Sequence, residues 1–381
     1  MRDYALSTLR QFISPSIRFE LRKAVAWSQE LLARTCVWRW EIATLQRGGD
    51  IRCYDILYAG RKSQRDLAKA LLGIDGAVSP TLAFPSSRTA LVSEVPFPGA
   101  LHVPGYLSAI VPLGGRPIEE ITARYSRELQ RTLRKLRPRY RLQQVVDEAE
   151  IDRVDREMLQ PYARARHGAA AAQLARHEVH HMALQCGRLD LLLLDDKVVG
   201  CQLGCVITRA GKCYWSINRF GYTEAVFSDP KRLRETNSFN NHLALEWAIE
   251  NGFDYYDIGI CLGRPDDGLL EWKRRRGGEV DTLGSESYFY VRLPETGAAQ
   301  LLWDAPLFAV EHRSLTLHLG LPEGPSDEEV ANRYREMGFG GLSKVYLHCA
   351  RQAGESLLDT LRSRYTHQKI PPVVVCVSCK G

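Results

Sequence analysis

The 381-residue sequence holds no stretch near the roughly 18 uninterrupted apolar residues that a membrane helix needs, so no membrane span is expected. Its first residues, Met1-Arg2-Asp3-Tyr4-Ala5-Leu6-Ser7, lack the apolar run of a signal peptide, and a cytoplasmic location is the expectation. The ten cysteines follow no repeating spacing, which argues against a disulfide framework and for reduced thiols. No internal repeat is strong enough to argue from. Charge of one sign is only slightly in excess: a net +6 favours anionic partners without announcing nucleic-acid binding. What is present is an ordinary globular mix, 45% hydrophobic and 25% charged. The length exceeds what one typical domain needs, so two domains, or one with large extensions, are expected.

Local patterns divide the chain into residues 1–115, a central region 116–293 and a tail 294–381. A helix is expected over 15–34, then a strand Ile51–Tyr58 broken by Gly60, and a helix capped by Ser63 that ends near Gly73. Gly73 to Gly105, rich in Pro, Gly and Ser, reads as loops and edge strands. One long helix from Pro117 to about Arg137 should end at Pro138. After a strand Tyr140–Val146 and helical stretches to Gln185, three strands follow: Leu189–Leu194, Val198–Thr208 and Cys213–Phe220. Asp195-Asp196-Lys197 and Ala210-Gly211-Lys212 are the turns between them. A helix Thr236–Asn251 stopped by Gly252 and a strand Tyr255–Ile260 complete an α/β region with a mixed sheet. The tail alternates helix and strand.

Two segments carry chemistry. On a wheel of the helix 117–137, Arg124, Arg127, Arg131 and Arg134 fall on one side, and Tyr125, Leu129, Leu133 and Leu136 on the other. Guanidinium forks suit phosphates and carboxylates; the alternative is a solvated basic face. The second segment leaves the Tyr255–Ile260 strand as Gly259-Ile260-Cys261-Leu262-Gly263-Arg264-Pro265-Asp266-Asp267-Gly268 and runs into the cations Lys273-Arg274-Arg275-Arg276. Ligands of open α/β sheets sit at the carboxyl ends of strands, so this loop is a candidate ligand rim; an ordinary turn before an exposed basic helix is the alternative.

Pro161-Tyr162-Ala163-Arg164-Ala165-Arg166-His167-Gly168, the meander after it, and Gly263-Arg264-Pro265-Asp266-Asp267-Gly268 with Trp272-Lys273 together resemble the Fem-related branch of the GNAT superfamily. The resemblance covers roughly residues 110 to 290. It implies an α/β fold with a GNAT-like mixed twisted sheet flanked by helices, an N-terminal α/β region readable as a degenerate second unit, and a C-terminal α/β extension. It also implies transfer of an acyl group onto an amine of a sugar, amino acid or peptide. The donor would be a thioester, acyl-CoA or acyl carrier protein, or alternatively aminoacyl-tRNA. No permanently bound cofactor is implied; the donor is a co-substrate.

Such chemistry needs a deprotonated amine, a path for its proton and donors for an oxyanion. On the resemblance, Asp257 or Asp267 takes the proton, with His167 also among the catalytic candidates. Tyr162, Arg166 and His167 line the acceptor side. Arg264 and Lys273 hold an anionic group, with Asp266 and Trp272 beside them. Arg131, Arg134, Arg232, Arg234, Thr236, Asn237 and Ser238 meet the donor. Asp257 has a plainer alternative role, capping N–H groups at a strand end. One departure stands out. GNAT enzymes that use coenzyme A carry a glycine-rich turn at a helix start for pyrophosphate, whereas Asp229-Pro230-Lys231-Arg232-Leu233-Arg234-Glu235 has no glycine. A catalytically dead module of the same fold that binds an anionic partner is the reading from another class.

Two further motifs are weighed and set aside. His177-Glu178-Val179-His180-His181 spells H-E-x-x-H, but a zinc protease also needs a third ligand downstream, where a strand meander follows. Cys376-Val377-Ser378-Cys379 could form a four-ligand zinc site only with His348-Cys349, and reads more simply as a tail with incidental thiols. No metal is expected.

Overall fold

A computed structural model describes residues 24, 28, 31–32, 34–46, 54–80, 85–168, 173–282, 287–366, 368 and 370–379. The chain divides into two compact units that do not follow sequence order. One comprises Ile110–Gly259 with Arg275–Gly278. The other comprises the described residues of Leu21–Ala109, Ile260–Arg274 and Glu279–Gly381. Both are mixed α/β. Among the described residues, no helix is long and apolar enough to cross a membrane.

The first unit is built on an antiparallel meander, Tyr140–Val145, Gly187–Leu194, Lys197–Arg209 and Lys212–Tyr222. The turns between its last three strands are the expected ones. Asp195, Asp196, Ala210 and Gly211 all take positive φ, the left-handed backbone that tight hairpins need and that Asp and Gly tolerate. The last meander strand then pairs in parallel with Tyr255–Leu262, but only through Tyr214–Ser216 opposite Tyr255–Asp257. Beyond Ser216, the strand bulges between Ile217 and Arg219 against its other neighbour.

The helix Pro230–Glu250 connects these two parallel strands and covers one face of the sheet, burying Phe239, Leu243, Ala244, Leu245 and Ala248. It begins six residues before the expected Thr236. Asp229 accepts from the N–H groups of Lys231 at 2.9 Å and Arg232 at 3.1 Å, and Pro230 occupies the first turn, where a missing N–H costs nothing.

The long helix expected over 117–137 is two, Ile118–Thr122 and Arg127–Leu136. The break has two local causes. Tyr125 turns inward and is buried at 5% exposure, and the Ser126 hydroxyl accepts from the Leu129 N–H at 3.2 Å, starting a new helix. Arg124 therefore lies in the connection, while Arg127, Arg131 and Arg134 share an exposed helical face. Glu148–Val154 continues through a single π-turn at Asp155–Leu159 into Gln160–His167, and Arg176–Leu184 follows.

The second unit contains a six-stranded sheet in the order Val78–Pro80, Trp40–Leu45, Asp55–Arg61, Thr89–Ser93, Tyr288–Arg292, Leu101–Pro104. Gly60 does not break its strand, which runs on to Arg61. A side chain at Gly60 would strike the Tyr58 ring and the Glu94 carboxylate, so glycine serves packing here rather than a turn. The next helix, Lys62–Leu71, starts one residue before the expected cap Ser63, and its own cap position is Arg61. Thr89–Ser93 is an interior strand, not the edge strand expected of that Pro- and Gly-rich region. The helix expected over 15–34 and the residues Ile51–Cys53 lie mostly outside the described residues; Leu31, Leu32, Arg34 and Thr35 are helical.

The tail forms a four-stranded sheet, Leu307–Glu311, Ser314–Leu321, Leu342–Cys349, Val373–Ser378. Its first pair is antiparallel and the rest parallel, with the helices Ala298–Asp304, Asp327–Arg333 and Glu355–Ser363 packed on it. Tyr334, Phe339, Phe308 and Tyr365 fill its core.

Candidate functional site

The helix Pro230–Glu250 buries a polar stretch as well as an apolar one. Thr236, Ser238, Asn240 and Asn241 are all buried, in the middle of a helix that would ordinarily present Leu or Ala to a sheet. Each finds a counterpart or waits for one. Asn241 donates to the Tyr256 hydroxyl at 2.9 Å, and Asn240 donates to the Cys201 carbonyl at 3.0 Å. The Tyr222 hydroxyl donates to Asn237 Oδ1 at 2.7 Å. Arg276 donates through Nη2 to Ser238 Oγ at 3.1 Å.

Arg276 is the electrostatic centre of this group. It is 7% exposed, and burial lowers its pKa to about 10, while the phenols of Tyr125, Tyr256 and Tyr222 work in the opposite direction. Burial pushes the Tyr125 hydroxyl up to about 12, opposed by the nearby Arg276 guanidinium, so the phenol keeps its proton at neutral pH. Burial also raises Tyr222 and Tyr256 well above the ordinary phenol value. Among the described residues, neither the Tyr125 hydroxyl nor Asn240 Oδ1 has a hydrogen-bond partner. The result is a water-poor, cationic, donor-rich cluster, the kind of surroundings that stabilises an oxyanion or carboxylate.

Several candidates from the sequence join this cluster. Tyr162 is buried, packs edge-on against Tyr222 at 4.8 Å between ring centroids, and accepts from Arg166 Nη1 at 3.2 Å. Thr236, Asn237 and Ser238 belong to the buried helical turn. Arg232 and Arg234 are exposed on the same helix, and Arg131 and Arg134 are exposed on theirs. His167 closes the helix Gln160–His167, but its side chain lies outside the described residues. Asp257 is buried; it accepts from the Ser216 hydroxyl at 2.8 Å and from the Gly259 N–H at 2.8 Å, where the backbone has φ 86°. That second bond is the capping role weighed from sequence.

The other candidates belong to the second unit. Arg264 pairs with Asp266, which also lies 3.5 Å from Arg333. Asp267 accepts from the Leu270 N–H at 2.9 Å at the start of the helix Gly268–Arg274. Lys273, 3% exposed, donates to the Ile260 carbonyl at 2.8 Å, and Trp272 is half-buried beside it. Sequence reasoning had Arg276 only as one member of a cationic run, placed Tyr125 on a core-facing helix side, and did not single out Tyr222, Tyr256, Asn240 or Asn241. The signal available was the density of amides and hydroxyls in Thr236-Asn237-Ser238-Phe239-Asn240-Asn241 between Leu233 and Leu243.

The two metal-like motifs resolve into ordinary bonding. Glu178 accepts from the Ala175 N–H at 3.1 Å, His180 pairs with Asp152 at 2.8 Å and His181 with Gln185 at 2.7 Å. In the tail, strand alternation puts Cys376, opposite Leu347, on the same face as Cys349, and His348 on the other. Cys379 Sγ lies 3.8 Å from His348 Nδ1. Among the described residues, no three His, Cys, Asp or Glu side chains are arranged to hold a metal ion.

No family model matches the chain, and no curated protein matches it. Solved structures do. FemX is 13% identical with a TM-score of 0.38, covering 68% of this chain and 91% of its own. L-PGS from Bacillus licheniformis is 12% identical with a TM-score of 0.34, covering 66% and 80%. A GCN5-related N-acetyltransferase from Sphaerobacter thermophilus is 12% identical with a TM-score of 0.28, covering 63% and 71%. At such TM-scores they are distant likenesses, and the functional reading stands on this chain's own residues.

Proposed function

We propose that the chain is an acyltransferase or aminoacyltransferase acting on an amine, with the acyl carbonyl held in the buried cluster around Arg276. The observation that carries this reading is the Tyr125 hydroxyl, buried without a partner among the described residues, beside a buried guanidinium. An unpaired donor in dry surroundings costs stability unless something else is to be bound there. A carbonyl oxygen that gains negative charge as an amine attacks would accept from Tyr125 and from Arg276. Direct transfer needs no enzyme nucleophile, so positioning supplies much of the rate. Tyr162, Arg166 and His167 take the acceptor side, and Thr236, Asn237 and Ser238 the donor side. Arg131, Arg134, Arg232 and Arg234 offer an exposed cationic approach for an anionic donor. Asp257 takes the amine's proton through the Ser216 hydroxyl. Asp267, Arg264, Asp266, Trp272 and Lys273 receive no step in this scheme.

The first reading of the donor is a thioester of coenzyme A or of a carrier protein. One observation favours a second, aminoacyl-tRNA. The Asp229 carboxylate already occupies the Lys231 and Arg232 N–H groups at the helix start, where the resemblance would have glycine-freed N–H groups bind pyrophosphate.

The test incubates the purified protein with labelled acetyl-CoA, longer acyl-CoAs, acyl carrier protein and charged tRNA. Aminosugars, amino acids and peptides serve as acceptors, and donor loss is followed. One donor class should be consumed, with the rate falling in Arg276→Lys. If no donor is consumed while the folded protein binds anionic ligands, the chain is a binding module and the transferase reading fails.

A further inference from the structure

A cavity of about 450 Å³ lies within the first unit, lined by Gln144, Gln185, Arg188, Val206, Trp215 and Trp247. None of these residues belongs to the Arg276 cluster. Its construction is specific. The Arg188 guanidinium lies over the Trp247 ring at 4.8 Å and is clamped edgewise by Asp190, which is 0% exposed. Nε donates at 2.9 and 2.8 Å to the two carboxylate oxygens, and Nη2 donates to the first of them. The clamp fixes the plane of the guanidinium, cancels its charge and leaves Nη1 without an acceptor among the described residues. The fully buried Trp215 sits where strand residue Gly204 has no side chain; any Cβ there would enter the indole ring. Its Nε1–H has no partner among the described residues. Among the described residues, the Gln144 side chain makes no hydrogen bond, and Gln185 uses its Oε1 on His181.

The cavity therefore offers the flat surface of a guanidinium stacked on the Trp247 indole, with N–H donors of Arg188 and the glutamines around it. No uncompensated charge faces it. A charged ligand gains little from a neutralised guanidinium, and an aliphatic one would leave the donors unsatisfied. A flat, neutral heterocycle that carries carbonyl and ring-nitrogen acceptors satisfies both features, stacking on the guanidinium plane while its edge accepts from Arg188 and the glutamine amides. We propose that this cavity binds a nucleobase, either of a free nucleoside or of an unpaired residue in RNA. The site does not depend on the transfer reaction, and its test reads binding rather than donor loss.

The experiment titrates the full chain with adenosine, guanosine, cytidine and uridine. A parallel titration uses a five-residue single-stranded RNA and the same RNA with one abasic position at its centre. Tryptophan fluorescence and calorimetry provide the readout. At least one nucleoside, or the intact RNA, should bind saturably. Val206→Trp, which fills the cavity from its exposed side, should weaken that binding at least ten-fold, and Gln144→Ala should weaken it two- to five-fold. Circular dichroism checks that both variants fold; should Val206→Trp misfold, Gln144→Ala carries the test alone, and unchanged binding in it overturns the proposal. Binding of nucleosides without RNA assigns the free source. Binding of intact RNA several-fold over the abasic strand assigns the polymer. Equal binding of intact and abasic RNA with no nucleoside binding, no binding at all, or wild-type affinity in a folded Val206→Trp would each overturn the assignment.

Discussion

Arg276 donates to Ser238 Oγ across 3.1 Å, so the last cation of an apparent surface run is anchored to the middle of the helix Pro230–Glu250. That bond ties a guanidinium of lowered basicity to the buried phenols around it. Lysine keeps a charge but loses the planar fork. Arg276→Lys should lower kcat/KM for the consumed donor by roughly 10²-fold, the usual cost of one lost oxyanion donor. Steady-state kinetics on the folded variant checks it, and an unchanged kcat/KM would remove Arg276 from the chemistry.

The unpartnered Tyr125 hydroxyl makes the opposite demand on stability. Tyr125→Phe deletes a buried donor that no described residue satisfies, so stability should hold or rise slightly while turnover falls. Urea melts beside the activity assay separate the two. A loss of stability without loss of rate would make Tyr125 a structural residue only.

Asn241 is satisfied, and its removal should behave differently. Asn241→Leu leaves the Tyr256 hydroxyl, in a fully buried side chain, without its 2.9 Å donor. Destabilisation of about 1–3 kcal/mol is expected from equilibrium unfolding.

In the second unit, the buried Thr316, His318 and His348 form a hydrogen-bonded chain that ends at the half-buried Cys379, with His318 Nδ1 3.0 Å from His348 Nε2 and the Tyr346 ring stacked on His318. Burial lowers His318 to about 3, with the neighbouring His348 adding to it, and burial lowers His348 to about 4. Both imidazoles are held neutral, whereas the unfolded chain takes up protons near pH 6.5. Their contribution to stability is therefore complete above about pH 6.5 and is lost as pH falls towards 4 and 3. The slope is at most about 1.4 kcal/mol per pH unit for each histidine. Urea melts from pH 7.5 to 4.5 should show this decline, and His318→Gln should flatten it.

Gly320 lies where the strand Ser314–Leu321 touches the helix Ala298–Asp304. An added Cβ would collide with the Ala299 carbonyl and the Trp303 N–H, both backbone groups that have no rotamer to yield. Gly320→Ala should cost on the order of 1–3 kcal/mol or more in a thermal or urea melt.

Much of the local order is legible in the chain. The meander turns announce themselves because Asp195-Asp196 and Ala210-Gly211 combine residues suited to positive φ with flanking alternation. The break at Tyr125-Ser126 is not legible, because a helical wheel accepts Tyr125 as an apolar residue and cannot see that the phenol must reach past the helix surface. Thr236–Asn241 misleads in the other direction. Asn and Ser usually compete with helical backbone and favour caps, so a helix start is read there. In the fold their amides and hydroxyls are spent on Cys201, Tyr222, Tyr256 and Arg276 instead.

By itself the sequence determined the mixed α/β character, the order of the meander, helix and strand, and the family resemblance. These depend on periodicity and turn chemistry within a few residues. Only the tertiary structure decided which members of the Lys273–Arg276 run are surface charge. Lys273 and Arg276 are buried while Arg275 is exposed, although nothing in their immediate neighbours distinguishes them. Burial of a cation is set by whether distant strands and helices supply acceptors for it: the Ile260 carbonyl for one and Ser238 with its surrounding phenols for the other. Those partners meet only once the sheets have formed.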